Sequence, residues 1–215
     1  MHVVNSERKL LRSTFQLDTP TWNNTGKHFW GHLLSVASKE VRAGFLRYIR
    51  FRGNKIAYLR HLGVHIGQDC DILNGIKDFG TEPWLIEIGQ RVTVAQGVLF
   101  FTHDGANRIF RLAIQGSSPW GNRFGTIRIL DNCFIGAHAI IQPDVQIGPD
   151  SIVGAGSVVT KDIPSQMVVA GTPAREICTL SEYIERYKCK MLPIRSTNRQ
   201  DLREELTKML WGEAR

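Results

Sequence analysis

The sequence predicts an all-β solenoid, a parallel coil of six-residue repeats with helical extensions at both ends and one protruding loop. Three observations carry that prediction. Aliphatic or aromatic residues recur at a step of six: Ile66 and Ile72; Ile88, Val94 and Phe100; and Ile129, Ile135, Ile141, Ile147, Val153 and Val159. Glycine follows directly at Gly67, Gly89, Gly136, Gly148 and Gly154, and a small or β-branched residue stands four places on at Cys70, Val92, Cys133, Ala139, Val145, Ser151 and Ser157. A period of six matches neither a helix nor an alternating strand; it is the mark of a parallel β-helix with one short strand per repeat. Stacked coils about 4.8 Å apart leave room inside for little more than one such side chain per face.

In chain order, residues 1–61 form an N-terminal extension. Thr25 is its N-cap, Phe29, Leu33, Ala37, Val41, Phe45 and Ile49 share one helical face, and Gly53 is the stop. The coil spans 62–171, with Asp69, Asp144 and Asp150 as turn formers rather than calcium ligands. A short excursion at 76–85, "IKDFGTEPWL", puts Ile72 out of register with Ile88. The larger break comes at "FFTHDG", residues 100–105, where Asp104 takes the small inward slot. A buried acid is costly unless paired, so Asp104 marks the point where the chain leaves the coil. The loop at 106–126 that follows is too long for a turn and too apolar for disorder, as functional loops on regular scaffolds are. In the C-terminal extension, 172–215, Thr179 with Glu182 and Thr197 with Gln200 read as capping boxes opening two helices. Such helices cover the sticky ends of an open solenoid.

Composition narrows the function. The chain has 215 residues, 20 glycines and a formal charge of +7, one domain with appendages and an anionic partner that need not be nucleic acid. Cys70, Cys133, Cys178 and Cys189 have neither zinc-site pairing nor the density of a disulfide framework, so they read as reduced packing residues of a cytoplasmic protein. "MHVVNSERKLLRSTF" lacks the apolar run of a signal peptide, and no segment is long enough to span a membrane. The basic stretch at 42–60, with Arg42, Arg47, Arg50, Arg52, Lys55 and Arg60, has two readings: a peripheral contact with an anionic membrane face, or a helix packed on the first coil with its cations in water.

"IGPDSIVGAGSVVTKDIPSQMVVAGTPAREI", residues 147–177, resembles the C-terminal signature of the hexapeptide-repeat acyltransferases, in particular galactoside, maltose, capsule and lipopolysaccharide O-acetyltransferases. The resemblance covers roughly residues 62–190 and implies a left-handed parallel β-helix, a homotrimer, acetyl-CoA as donor, a saccharide acceptor and sites between subunits. Crossover rules alone favour the other hand. His103 matches the family's base, and the chemistry agrees, since a hydroxyl attacking a thioester needs a group of near-neutral pKa to take its proton. Asp104 either binds acceptor or caps the loop, because neighbours on a strand face opposite ways.

Counting "RFGTIR", 123–128, as one hidden repeat puts His138 on the face of His103, one coil away, where it positions the thioester; otherwise it is a turn histidine without a role. The resemblance assigns Ala155, Thr160, Lys161 and Arg175 to the coenzyme. Ala155 and Ala137 are small enough for pantetheine to lie along the coil, while the two cations suit its phosphates. Ala137 and Phe134 depart from the serine and tryptophan of some galactoside-type relatives. Trp120 either stacks on a sugar or anchors the loop. No serine or cysteine has a nucleophile's context, since "GAGSV" is not the nucleophile elbow, so transfer is direct. Three competing readings stay open. Another acceptor, such as serine, an antibiotic or an amino sugar, would keep the donor site. A zinc carbonic anhydrase on the same scaffold would need more grouped histidines than His65, His103 and His138, and no metal is expected. A structural or ice-binding solenoid would have unbroken repeats.

Overall fold

The computed structural model describes residues 51, 53–106, 109 and 123–212. These fall into two compact units, one within residues 43–189 and one within 190–212.

In the first unit the chain visits three sheets in rotation. Sheet 1 holds β1 (His65–Ile66), β3 (Ile86–Ile88), β8 (Ile127–Ile129) and β11 (Val145–Ile147). Sheet 2 holds β2 (Asp71–Ile72), β4 (Thr93–Val94), β9 (Phe134–Ile135), β12 (Ile152–Val153), β14 (Met167–Gly171) and β15 (Ala174–Thr179). Sheet 3 holds β5 (Leu99–Phe100), β10 (Ile140–Ile141) and β13 (Val158–Val159). A separate antiparallel pair, β6 (His103–Asp104) and β7 (Arg123–Phe124), stands outside the rotation. The three sheets are parallel apart from the final β14–β15 pair. β15 carries sheet 2 past residue 171 to Thr179.

The register shows the repeat and its interruptions. Ile129 pairs with Ile147, and Ile135 with Val153, an advance of 18 residues or three hexapeptides. Ile88 pairs with Ile129 and Val94 with Ile135, an advance of 41, and the excess is the loop. Ile66 pairs with Ile88 across the shorter excursion, which forms two 3₁₀ turns, Ile76–Phe79 and Pro83–Leu85.

Every six-step residue from Ile66 to Val159 is buried, and so are all seven small slots from Cys70 to Ser157. Truncating one inward aliphatic such as Ile135 to alanine would cost about 2–5 kcal/mol, because the coil cannot collapse onto the void. Asp104 is a correction: it is exposed, and the inward position is Thr102, which is 1 % exposed. The chain turns outward after Thr102, so its acid avoids desolvation. Among the cysteines, Cys70 and Cys133 pack inside, where burial pushes the Cys133 thiol up to about 11, whereas Cys189 is exposed.

The coil's two ends close differently. At the N-terminal end, α1 (Lys55–His61), capped by Asn54, buries Tyr58 and Leu59. Its cations satisfy carbonyls that the first coil leaves without a strand. Lys55 Nζ donates to Ile72 O and Asn74 O at 2.8 and 2.9 Å, and the Arg60 guanidinium donates to Ile66 O and Gly67 O. These two cations of the basic stretch therefore work inside the fold. Arg42, Arg47, Arg50 and Arg52, the helical face expected from Phe29 to Ile49 and Trp120 lie outside the described residues. At the other end, β15 folds back antiparallel on β14 and leads into α2 (Leu180–Tyr187), which opens on the Thr179–Glu182 capping box.

The second unit contains α3 (Arg199–Trp211). Its N-cap is Asn198, whose side chain accepts from Asp201 N at 2.9 Å, one residue beyond the expected Thr197–Gln200 box. Asparagine satisfies the free N–H groups as well as threonine does.

Candidate functional site

Three corners join the sheets: the first from sheet 1 to sheet 2, the second from sheet 2 to sheet 3, the third from sheet 3 back to sheet 1. His103 stands on the third corner, three residues after the inward Phe100. The opposing Phe124 lies against its ring, with centroids 5.7 Å apart. The Nδ1 atom of His103 is 2.8 Å from Glu82 Oε2.

Glu82 comes from the short excursion, and packing explains how it gets there. Phe79, 1 % exposed, stacks on Phe100 with centroids 5.0 Å apart, pinning the excursion beneath the strand that leads to His103. The Glu82 carboxylate also accepts from Thr102 Oγ1 and Thr81 Oγ1, each at 2.7 Å. Burial pushes this carboxyl up, but the bonds from Thr102, Thr81 and His103 outweigh it and hold the group below its ordinary value. An ionised carboxylate can only accept, so Nδ1 carries the ring proton and Nε2 is left as a base. Sequence reasoning missed Glu82. Its visible trace was the out-of-register stretch at 76–85.

A cleft of about 250 Å³ beside His103 is lined by Lys77, Thr81, Leu99, Phe101 and Thr102. Asp104 is not the ring's partner. Its Oδ1 accepts from Ala106 N at 2.8 Å and caps the start of the loop. Opposite Asp104 on β7, Arg123 reaches Asp144 Oδ2 at 3.2 Å, tying the loop's return strand to the next coil.

The expected coenzyme residues divide between two corners. Thr160, Lys161 and Arg175 line one cleft of about 500 Å³ together with Asp162, Ala174 and Glu176. Thr160 and Lys161 follow Val159, which stacks through Ile141 on Phe100, so this cleft lies on His103's corner two coils along, about 10 Å away at 4.8 Å per coil. Ala137 and Ala155 sit instead on the second corner, where Gly156 N donates to Ala137 O at 2.8 Å.

His138 is on the second corner too, which corrects the expectation that it shares a face with His103. Arg123 and Phe124 belong to the antiparallel arm outside the coil, so "RFGTIR" is not a whole hidden repeat. The His138 ring instead covers Gly97 of the coil below, where a Cβ would run into it.

Among the described residues no group of acids, histidines and cysteines could hold a metal ion, and no helix is long and apolar enough to cross a membrane.

Comparison with known proteins gives the family. Residues 126–161 match the model of the bacterial transferase hexapeptide family (six repeats). The chain is 46% identical over 135 residues to Protein CapG of Staphylococcus aureus, covering 62% of this chain and 74% of CapG. It is 44% identical over 139 residues to galactoside O-acetyltransferase of Escherichia coli K12, covering 62% of this chain and 63% of that enzyme. A solved galactoside acetyltransferase in complex with coenzyme A superposes with a TM-score of 0.46 at 20% identity, covering 89% of this chain and 90% of that one. With its six-step core, its family match in the final coils and this identity to CapG, the chain belongs to the hexapeptide-repeat acetyltransferases.

Proposed function

We propose that the protein is an acetyl-CoA-dependent O-acetyltransferase that moves an acetyl group directly to a saccharide hydroxyl, with His103 as general base. The observation that carries this reading is the third corner: a histidine with its Nδ1 fixed on a carboxylate, on the same edge as a cleft holding Lys161 and Arg175. In this mechanism Nε2 takes the proton of the acceptor hydroxyl as its oxygen attacks the thioester carbonyl, and Glu82 stabilises the imidazolium. The C–S bond then breaks, and His103 returns the proton to the departing thiolate. Lys161 and Arg175 hold the donor's phosphates, and Thr160 lies on the path from them to the base.

The split of the small residues onto the second corner supports a homotrimer of left-handed coils. In it, one copy's Ala137, Ala155 and His138 edge lies against the next copy's His103 edge, so that each site is completed by a neighbour. Residues 62–171 are the catalytic coil. A capsule or lipopolysaccharide precursor in the cytoplasm suits this chemistry. Galactoside O-acetyltransferase, the relative named for such a reaction, is matched over less than two thirds of its length, so the acceptor rests on the site's chemistry.

The test is thiol release from acetyl-CoA in the presence of a panel of saccharides. The expected result is acceptor-dependent release by the wild type, release at least about a hundredfold slower by His103→Ala, and one donor site per chain by calorimetry. A wild type that fails to bind acetyl-CoA at millimolar concentration overturns the assignment.

A further inference from the structure

Between the donor cleft and His103 lies one intervening coil, and its third corner consists of Gln142, Pro143 and Asp144. The register fixes the row: Phe101 N donates to Ile141 O at 2.9 Å and Gln142 N to Val159 O at 3.0 Å. Phe101, Gln142 and Thr160 are therefore stacked outward positions in three successive coils, each about 4.8 Å from the next. This row runs from the cleft beside the base to the cleft that holds Lys161.

The carboxylates along this path are committed. Asp144 is held by Arg123, Asp162 Oδ1 accepts from Gln146 N at 2.8 Å, and Pro143 is buried and has no N–H to offer. The half-buried Gln142 side chain is different: among the described residues no hydrogen bond to it is found.

An acyl donor with its phosphates at Lys161 and its thioester at His103 must lay its pantetheine arm across this coil. That arm contains two amides, and amides that leave water without partners weaken binding. A glutamine side chain offers both a donor and an acceptor to such groups. From this juxtaposition we infer that Gln142 binds the pantetheine arm of the donor, pairing with an amide midway between the phosphate cleft and the base. The inference rests on the donor assignment made above.

The experiment compares two probes by calorimetry: coenzyme A, and 3′-phosphoadenosine 5′-diphosphate, which is the coenzyme without its arm. Gln142→Leu, similar in size, is expected to weaken coenzyme A roughly tenfold and leave the nucleotide unchanged. Lys161→Ala is expected to weaken both. Unchanged nucleotide affinity in Gln142→Leu also reports a folded cleft.

If Gln142→Leu binds coenzyme A as the wild type does, or loses both probes alike, the arm contact is overturned while the donor cleft stands on the Lys161→Ala result. If the wild type binds neither probe, or Lys161→Ala weakens neither, the donor assignment fails and the Gln142 contact falls with it. Gln142→Met, with its flexible apolar chain, gives the same discrimination if the leucine variant does not fold.

Discussion

At the first corner every turn is made the same way. Asp69, Arg91, Asn132, Asp150 and Gln166 succeed one another coil by coil, all with φ between 53° and 58°. From Arg91 onward each donates its N–H to the coil below, to Gln68 O, Gln90 O, Asp131 O and Pro149 O in turn. At the third corner that regularity fails. One coil is opened by the β6–β7 arm, and the next is tied to that arm by Asp144 on Arg123.

The contrast teaches where this scaffold can do chemistry. A corner whose backbone closes on the coil below leaves no gap for a substrate, so its side chains serve the fold alone. A corner that is broken has room, and there His103, Glu82 and the Lys161 cleft gather.

The largest effect expected from breaking the third corner is that of His103→Ala. Loss of the base should lower kcat by about 10²–10⁴-fold while leaving donor affinity unchanged, measured as thiol release and by calorimetry. Near-normal turnover would move the chemistry elsewhere.

Glu82→Gln comes next, with an expected drop in kcat of roughly ten- to a hundredfold and no change in donor affinity, because the imidazolium loses its counter-charge but keeps a hydrogen-bond partner. Its pH signature has a definite sign. The native Glu82 carboxyl sits below its ordinary 4.5, so its contribution to stability is fully present above that value and is lost as pH falls through the lower native one. Urea unfolding should thus show wild type more stable than Glu82→Gln at neutral pH, with the gap closing in acid.

Removing both Lys161 and Arg175 should weaken coenzyme A binding about ten- to thirtyfold and leave the fold intact, since both side chains are exposed. The smallest effect belongs to the regular corner. Asn132→Ala keeps the φ of 58° but loses the amide that eases it and that donates to Asp150 Oδ1, and should cost about 1–2 kcal/mol in denaturant unfolding with kcat unchanged. A fall in kcat there would break the distinction between the two corners.

Much of the coil was legible from spacing alone. Period six located the inward residues, and the failure of that period at Phe100 located His103, because a narrow interior tolerates few exceptions. Asp104 was misjudged for the same reason: counting assumed that the chain stays in the coil to residue 104, whereas it turns out after Thr102. His138 was misplaced because counting through the loop took Arg123 and Phe124 as coil residues.

By itself, then, the sequence determined the repeat, the buried slots, the break and the candidate base, since each is set by how much volume one stacked coil allows. Only the tertiary structure decided that Glu82 meets His103, that Thr160 and Lys161 share its corner while Ala137, Ala155 and His138 do not, and that Gln142 lies between. A residue's place around the coil depends on the length of every insertion before it, and the insertions carry no period to count by. They are fixed by long-range packing such as Phe79 on Phe100, which pins an excursion 21 residues away in sequence against His103.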